Sequence, residues 1–326
     1  MKIVRLILFT VFCLAQGSAP WVIFAATPAT RVPIRLRIAY SAPIGVMAPL
    51  WMAAESGALK GEGLEVEMVL VEARAAIAAL IAKEIDVLEI SMPAVVPAAL
   101  AGGDITMIAG LLNKMIFSLH AQKEIRTIEQ LRGKVFGSDR VGTASDYGGR
   151  TALSLLGIKE TDVSVVRLGS TNVLWPALQS GQIAAAPLTP PQSFNADSLG
   201  YHRLVNTYHL PYQNIGIVLR KSDVEPKADA WLRLLRAMRH GVQRWYDDAK
   251  FARDVLSKYT KEKDPDKLQK TYEFFSKQAG FSDDLQISEP GTQQILSFLG
   301  STVLPAAKGA SPKQFYDTRI LERLTK

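Results

Sequence analysis

The chain has 326 residues, 48% hydrophobic and 21% charged, with a formal net charge of +7. That mixture is globular rather than disordered, and the length suits two ordinary domains. The charge is too small for this length to mark a nucleic-acid reader, and the tightest basic group (Arg233, Arg236, Arg239 and Arg244) lies in a helical pattern with no recognition motif beside it.

In chain order, Lys2 and Arg5 give a basic start, an apolar run occupies 6–14, and a second at 21–24 leads to Ala25-Ala26. This order is that of a secretory signal peptide, expected over 1–26 with cleavage after Ala25 or Ala26. Gln16, Gly17 and Ser18 interrupt the apolar run well short of the ~20 residues of a spanning helix. Loss of Lys2 and Arg5 takes the charge from +7 to +5. The single cysteine, Cys13, falls in this segment without the small residue that precedes a lipid-modified cysteine. The expected mature chain therefore has no thiol, disulfide or lipid anchor, and an exported, untethered chain is expected in the periplasm.

Residues 35–40 alternate as a strand and end at Ser41-Ala42-Pro43-Ile44-Gly45. The spacing predicts a helix over 49–57, a strand over 64–71, a helix over 73–82, and a buried strand over 85–90 that stops at Ser91-Met92-Pro93. A helix over 94–101 and a strand over 105–111 follow. After Leu131-Arg132-Gly133-Lys134 the alternation resumes, with strands over 135–137, 163–167 and 183–188 and helices over 146–156 and 172–179. The last of these strands ends at Thr189-Pro190-Pro191. One further strand is read over 213–220, then helices over 229–299 and over 316–324.

The two halves repeat at a fixed offset of 98, the distance from Ala79-Leu80 to Ala177-Leu178. The same offset sets Arg74 on Asn172, Ile85 on Ile183, Ser91 on Thr189 and Pro93 on Pro191. Strands alternating with helices twice over predict two similar α/β lobes. The helical tail is expected to pack back on the first lobe, giving lobe I as 33–118 with 215–326 and lobe II as 119–214.

Open α/β sheets bind ligands beyond the carboxyl ends of their strands, where helix N-termini offer free N–H groups. Here those ends are rich in hydroxyls, small residues and prolines. The expected ligand-binding set is Ser41, Pro43, Ile44, Arg74, Ser91, Met92, Asn113, Thr143, Ser145, Asn172 and Thr189. Each hydroxyl could equally be a helix cap. Arg74 is the sharpest candidate, because a cation at a helix start opposes the dipole and calls for an anion. Arg74→Ala is accordingly expected to weaken binding of an anion by about 1.5–3 kcal/mol. The four histidines show no metal-ligand spacing, and no GxSxG, GxGxxG or phosphate loop occurs. No catalytic residue, metal or cofactor is expected, and the chain is read as not an enzyme.

The stretch from Ile38-Ala39-Tyr40-Ser41 through Ala53-Ala54-Glu55-Ser56-Gly57-Ala58-Leu59-Lys60-Gly61-Glu62-Gly63-Leu64 resembles the opening of nitrate/sulfonate/taurine-type solute-binding proteins of ABC transporters, a group that includes binders of the thiamine pyrimidine precursor. Ala79-Leu80, Ile85-Asp86, Leu131-Arg132-Gly133-Lys134-Val135, Ala177-Leu178-Gln179-Ser180-Gly181-Gln182-Ile183 and Tyr316-Asp317-Thr318-Arg319-Ile320-Leu321 extend the resemblance to residue 321. It implies a type II periplasmic-binding-protein fold, two α/β lobes joined by a two-strand hinge near 117–121 and 213–218 with a ligand cleft between them. It also implies a monomeric receptor that closes on a small organic, sulfonate- or carboxylate-like solute and delivers it to an ABC-type membrane permease. Two departures stand out: Lys83 where the group has glycine, and Ala184 where it has aspartate. The same fold carries two other readings, a sensing subunit for a membrane kinase and an enzyme acting on a pyrimidine or menaquinone precursor.

Overall fold

Strand β1 (Ile34–Tyr40) exposes Arg35 and Arg37 and buries Leu36 and Ile38, the alternation of a half-buried strand. It begins the region described by the computed structural model, residues 32–324. The expected signal peptide over 1–26 and Cys13 lie outside the described residues. After β1 come helices α1 (Ala48–Glu55) and α2 (Ala58–Gly61), β2 (Leu64–Leu70), α3 (Ala73–Ile81), β3 (Val87–Ser91), α4 (Met92–Leu100) and β4 (Thr106–Gly110). The next group is β5 (Ser118–Ala121), α5 (Ile128–Leu131), β6 (Val135–Ser138), α6 (Ala144–Leu155), β7 (Ser164–Arg167), α7 (Leu174–Gln179), β8 (Ala185–Leu188), α8 (Gln192–Ser198) and β9 (His202–Asn206). The chain continues through β10 (Ile215–Leu219), α9 (Ala228–Asp247), α10 (Ala249–Thr260), α11 (Pro265–Glu273), α12 (Glu289–Thr302) and α13 (Arg319–Leu324).

These strands form two five-stranded sheets, in the orders β2-β1-β3-β10-β4 and β7-β6-β8-β5-β9. In the first, β1 runs parallel to β2 and β3; in the second, β6 runs parallel to β7 and β8. The first sheet then takes β10 as an antiparallel strand from beyond the second sheet, whereas the second is built from consecutive strands, with β5 antiparallel to β8 and β9. The chain therefore crosses between the sheets twice, once on leaving β4 and once on entering β10. The crossing segments, 111–117 and 207–214, pair with each other through Tyr212 N to Asn113 O (3.1 Å) and Thr207 N to Phe117 O (3.0 Å). They lie just before the stretches the resemblance pointed to.

The offset of the sequence repeat survives in the backbone, with β3 starting at Val87 and β8 at Ala185. It also explains Lys83. The turn before β3 holds Lys83 at φ 65°, and its counterpart before β8 is Gly181 at φ 75°. Both turns need the left-handed region, which glycine enters freely and a lysine enters at a cost of about 1–2 kcal/mol.

The first sheet and the C-terminal helices share one core. Helix α9 buries Trp231, Leu234, Leu235, Met238, Val242 and Trp245, a stripe at helical spacing. Each such side chain contributes roughly 1.5–3 kcal/mol by burial. Gly241 lets α9 approach α1, since a Cβ there would lie 2.6 Å from the Ala53 amide nitrogen. In the second sheet, neighbouring Ala185 and Ala186 belong to different clusters, one with Phe136 and Leu153, the other with Leu174 and Leu178. Both faces of that sheet are therefore covered.

Candidate functional site

The carboxyl ends of the parallel strands in both sheets open on one cavity of about 320 Å³, the location where open α/β sheets receive ligands. The first sheet contributes Ser41, Pro43, Ile44 and Met47 after β1, Leu70 and Glu72 around the end of β2, and Ser91 at the end of β3. The second contributes Asp139, Arg140, Thr143 and Ser145 after β6, Ser170, Thr171 and Asn172 after β7, and Thr189 after β8. Ile116, Phe117 and Asn214 enter from the crossing segments.

Of the residues expected from sequence, Ser41, Pro43, Ile44, Ser91, Thr143, Ser145, Asn172 and Thr189 come together in this lining, whereas Arg74, Met92 and Asn113 lie outside it. Arg74 is exposed on the first turn of α3, and that helix start needs no external anion. The Glu72 carboxylate caps it, accepting from the Arg74 amide at 3.1 Å. Met92 is fully buried in the core. The Asn113 side chain turns to α12's approach, donating to the Gln286 carbonyl at 2.8 Å. Sequence reasoning missed Asp139 and Arg140 because it began the site loop at Gly142; strand β6 ends at Ser138, so the loop starts at Asp139.

Helix α6 carries the lining's main donors. The Thr143 side chain caps it, accepting from the Asp146 amide at 3.2 Å and donating to the Arg140 carbonyl at 2.9 Å. This cap starts the helix at Ala144, two residues earlier than periodicity indicated. Asp146 is turned inward, accepting from Ser138 Oγ (3.0 Å), Arg150 Nε (3.1 Å) and Arg167 Nη1 (2.7 Å). Ser145 differs from both. It is 2% exposed and lines the cavity, and its Oγ has no partner among the described residues. The Ala144 and Ser145 amides precede the first intrahelical bond, so the end of α6 presents N–H donors beside that hydroxyl.

Three charged side chains line the cavity: Glu72, Asp139 and Arg140. Asp139 is buried, and its carboxylate accepts from the Arg140 amide (2.6 Å) and from Thr171 Oγ1 (2.8 Å). Arg140 pairs with Glu72. Burial by itself would raise the Glu72 carboxyl, but Arg140 and the amides of Arg74 and Ala75 outweigh it and hold the group below the usual range. The apolar part of the lining comes from Ile44, Met47, Leu70, Ile116 and Phe117.

One constellation was not visible in the sequence. Ser118 Oγ lies 3.4 Å from His120 Nδ1, and His120 Nε2 lies 3.0 Å from Asp197 Oδ1. Ser118 and His120 are fully buried on β5 and do not line the cavity. Among the described residues no group of His, Cys, Asp and Glu is arranged to hold a metal ion, and no helix is long and apolar enough to cross a membrane.

A family model described as "NMT1/THI5 like" matches residues 45–251. No curated protein matches the chain. Among solved structures, the periplasmic aliphatic sulphonate binding protein SsuA of Escherichia coli is 16% identical with a TM-score of 0.73, over 89% of this chain and 99% of that one. The alkanesulfonate-binding protein SsuA of Xanthomonas axonopodis pv. citri, bound to MOPS, is 16% identical with a TM-score of 0.70, over 84% of this chain and 95% of that one. The desulfurization enzyme DSZB is 13% identical with a TM-score of 0.67, over 89% of this chain and 99% of that one. At these identities the likeness establishes the fold, that of periplasmic binding proteins, and the fold is shared by binding proteins and an enzyme.

Proposed function

The chain belongs to the NMT1/THI5-like family, and from that premise we propose that it is a periplasmic solute-binding receptor of an ABC importer, taking a small organic acid into the cavity between its two sheets. In this reading 1–26 is a cleaved signal peptide, 33–118 with 215–326 form one lobe, and 119–214 form the other. The monomer closes about the paired crossing segments 111–117 and 207–214, and the closed form is what the permease receives. Contacts from both lobes form only on closure, so the solute shifts an open–closed equilibrium.

The observation that carries the proposal is the end of α6. A hydroxyl that is buried and unpaired is unfavourable by roughly 1–3 kcal/mol, and the one on Ser145 belongs to a residue of the cavity lining, beside the free donors of a helix N-terminus. A sulfonate or carboxylate oxygen satisfies all of them, with Ile44, Met47, Leu70 and Phe117 available to its apolar body. A catalytic reading has less support, because Ser118 and His120 are buried away from the cavity and the single cysteine is Cys13.

Thermal unfolding of the refolded chain from residue 27 onward tests this against alkanesulfonates, carboxylates, neutral metabolites and cations. A true ligand at a hundredfold excess over Kd stabilises the native state by about 2.7 kcal/mol, and the shift is expected for the acids alone. No shift across the panel, or turnover of a bound compound, sinks the receptor reading.

A further inference from the structure

Arg140 is the only cationic side chain lining the cavity among the described residues, and it is not free. Its guanidinium is paired with the Glu72 carboxylate. The partners come from opposite sheets, Glu72 following β2 and Arg140 following β6. Their side chains are 50% and 39% exposed, so the pair stands at the rim of the cavity and bridges it. Asp139 is held in its own loop by Thr171 and the Arg140 amide, and its carboxylate also lies 4.0 Å from Arg140 Nε, a longer contact than the pair with Glu72. With Glu72 and Asp139 negative and Arg140 positive, the lining carries one net negative charge while the pair is closed. An acidic solute finds that guanidinium occupied until Glu72 releases it.

We propose, resting on the receptor reading above, that Glu72 is a specificity-determining counter-anion: it holds Arg140 across the ligand-free cleft, and the acidic group of an incoming sulfonate or carboxylate takes its place. The planar donor fork of Arg140 suits either group. Glu72 has somewhere to go, because its other carboxylate oxygen already accepts from the Arg74 amide at the start of α3. A released Glu72 thus keeps a helix N-terminus and solvent as partners. The exchange sets a threshold that neutral solutes do not meet, since nothing in them displaces a carboxylate from a guanidinium.

Calorimetric titration with 1-butanesulfonate tests the exchange in the refolded chain from residue 27, which contains the whole compact unit 33–326. Removing the competitor in Glu72→Gln is expected to tighten binding about threefold to fivefold, the scale of a partly exposed ion pair. Glu72→Ser, which keeps an acceptor at the start of α3, repeats the gain and separates it from any effect on the helix cap. Arg140→Gln weakens binding about tenfold or more, and in that background Glu72→Gln brings no gain. If the wild-type chain binds butanesulfonate while both Glu72 variants bind it equally or more weakly, the exchange is wrong and the receptor reading stands. If no form of the chain binds it, both fall.

Discussion

Glu89 sits at the centre of β3, fully buried, with both carboxylate oxygens lacking a partner among the described residues. Its neighbours in register are Tyr40 on β1 and Ile217 on β10, with the Leu50 amide of α1 the one group that favours its charged form. Burial outweighs that amide and pushes the carboxyl well above the usual carboxylate range. The folded chain therefore keeps a proton that the unfolded chain loses near its ordinary pKa. Glu89's contribution to stability is fully present below that unfolded pKa and is lost as pH rises toward the folded one. Across that interval the loss is about 1.4 kcal/mol per pH unit. Glu89→Gln fills nearly the same volume and does not titrate. Urea unfolding of both chains at pH 5, 6 and 7 should show the variant gaining on the wild type as pH rises, by up to about 1.4 kcal/mol per pH unit for as long as native Glu89 keeps its proton. Other groups titrate alike in both chains and cancel in the difference. Parallel pH profiles would refute the reasoning, because they would mean that Glu89 is ionised in the native chain or solvated in a way its surroundings do not indicate.

Three further outcomes follow from the site and the fold. Ser145→Ala should weaken solute binding by about 0.5–1.5 kcal/mol, by calorimetry, while leaving the ligand-free chain as stable or more so, because the variant removes a buried hydroxyl that has no partner; a loss of stability with unchanged affinity counts against its role. Arg74→Ala should leave solute affinity unchanged, since Arg74 is exposed outside the lining; a loss above about 1 kcal/mol would return it to the site. Lys83→Gly should raise the unfolding free energy by about 0.5–1 kcal/mol, because the turn at φ 65° suits glycine, as Gly181 shows at the matching turn of the second sheet. Unchanged stability in a denaturant titration would mean that the greater entropy of an unfolded glycine cancels the relieved strain.

Periodicity and the 98-residue offset made most of the architecture legible before the structure. Ser91 and Thr189, superposed by that offset, do meet in one cavity. The offset failed as a guide to side chains where local capping differs. Asn172 lines the cavity and Arg74 does not, since Glu72 supplies the capping carboxylate at the start of α3 and Arg74 is exposed on that helix's first turn. Strand β9 and helix α8 carried no readable signal. His202, Leu204 and Val205 are only half-buried, so the strand shows no clean alternation, and Pro190-Pro191 reads as a stop although α8 begins at Gln192.

The charge of the site was beyond any such reading, for a physical reason. Composition and local pattern list which charges lie near strand ends, but a cavity's potential depends on which of them neutralise each other. Glu72 and Arg140 are far apart in sequence and join only because β2 and β6 end on opposite sides of the same opening. Asp146, in the first turn of α6, is buried against Arg150 and Arg167 and leaves the cavity lining to Ser145. Sequence pointed to an anion through Arg74, which lies outside the cavity lining. The proposed acid site rests on different atoms: an unpaired hydroxyl, the first amides of α6, and a guanidinium paired with Glu72. In that arrangement, selectivity rests less on how many positive groups face the solute than on how firmly the one available is already held.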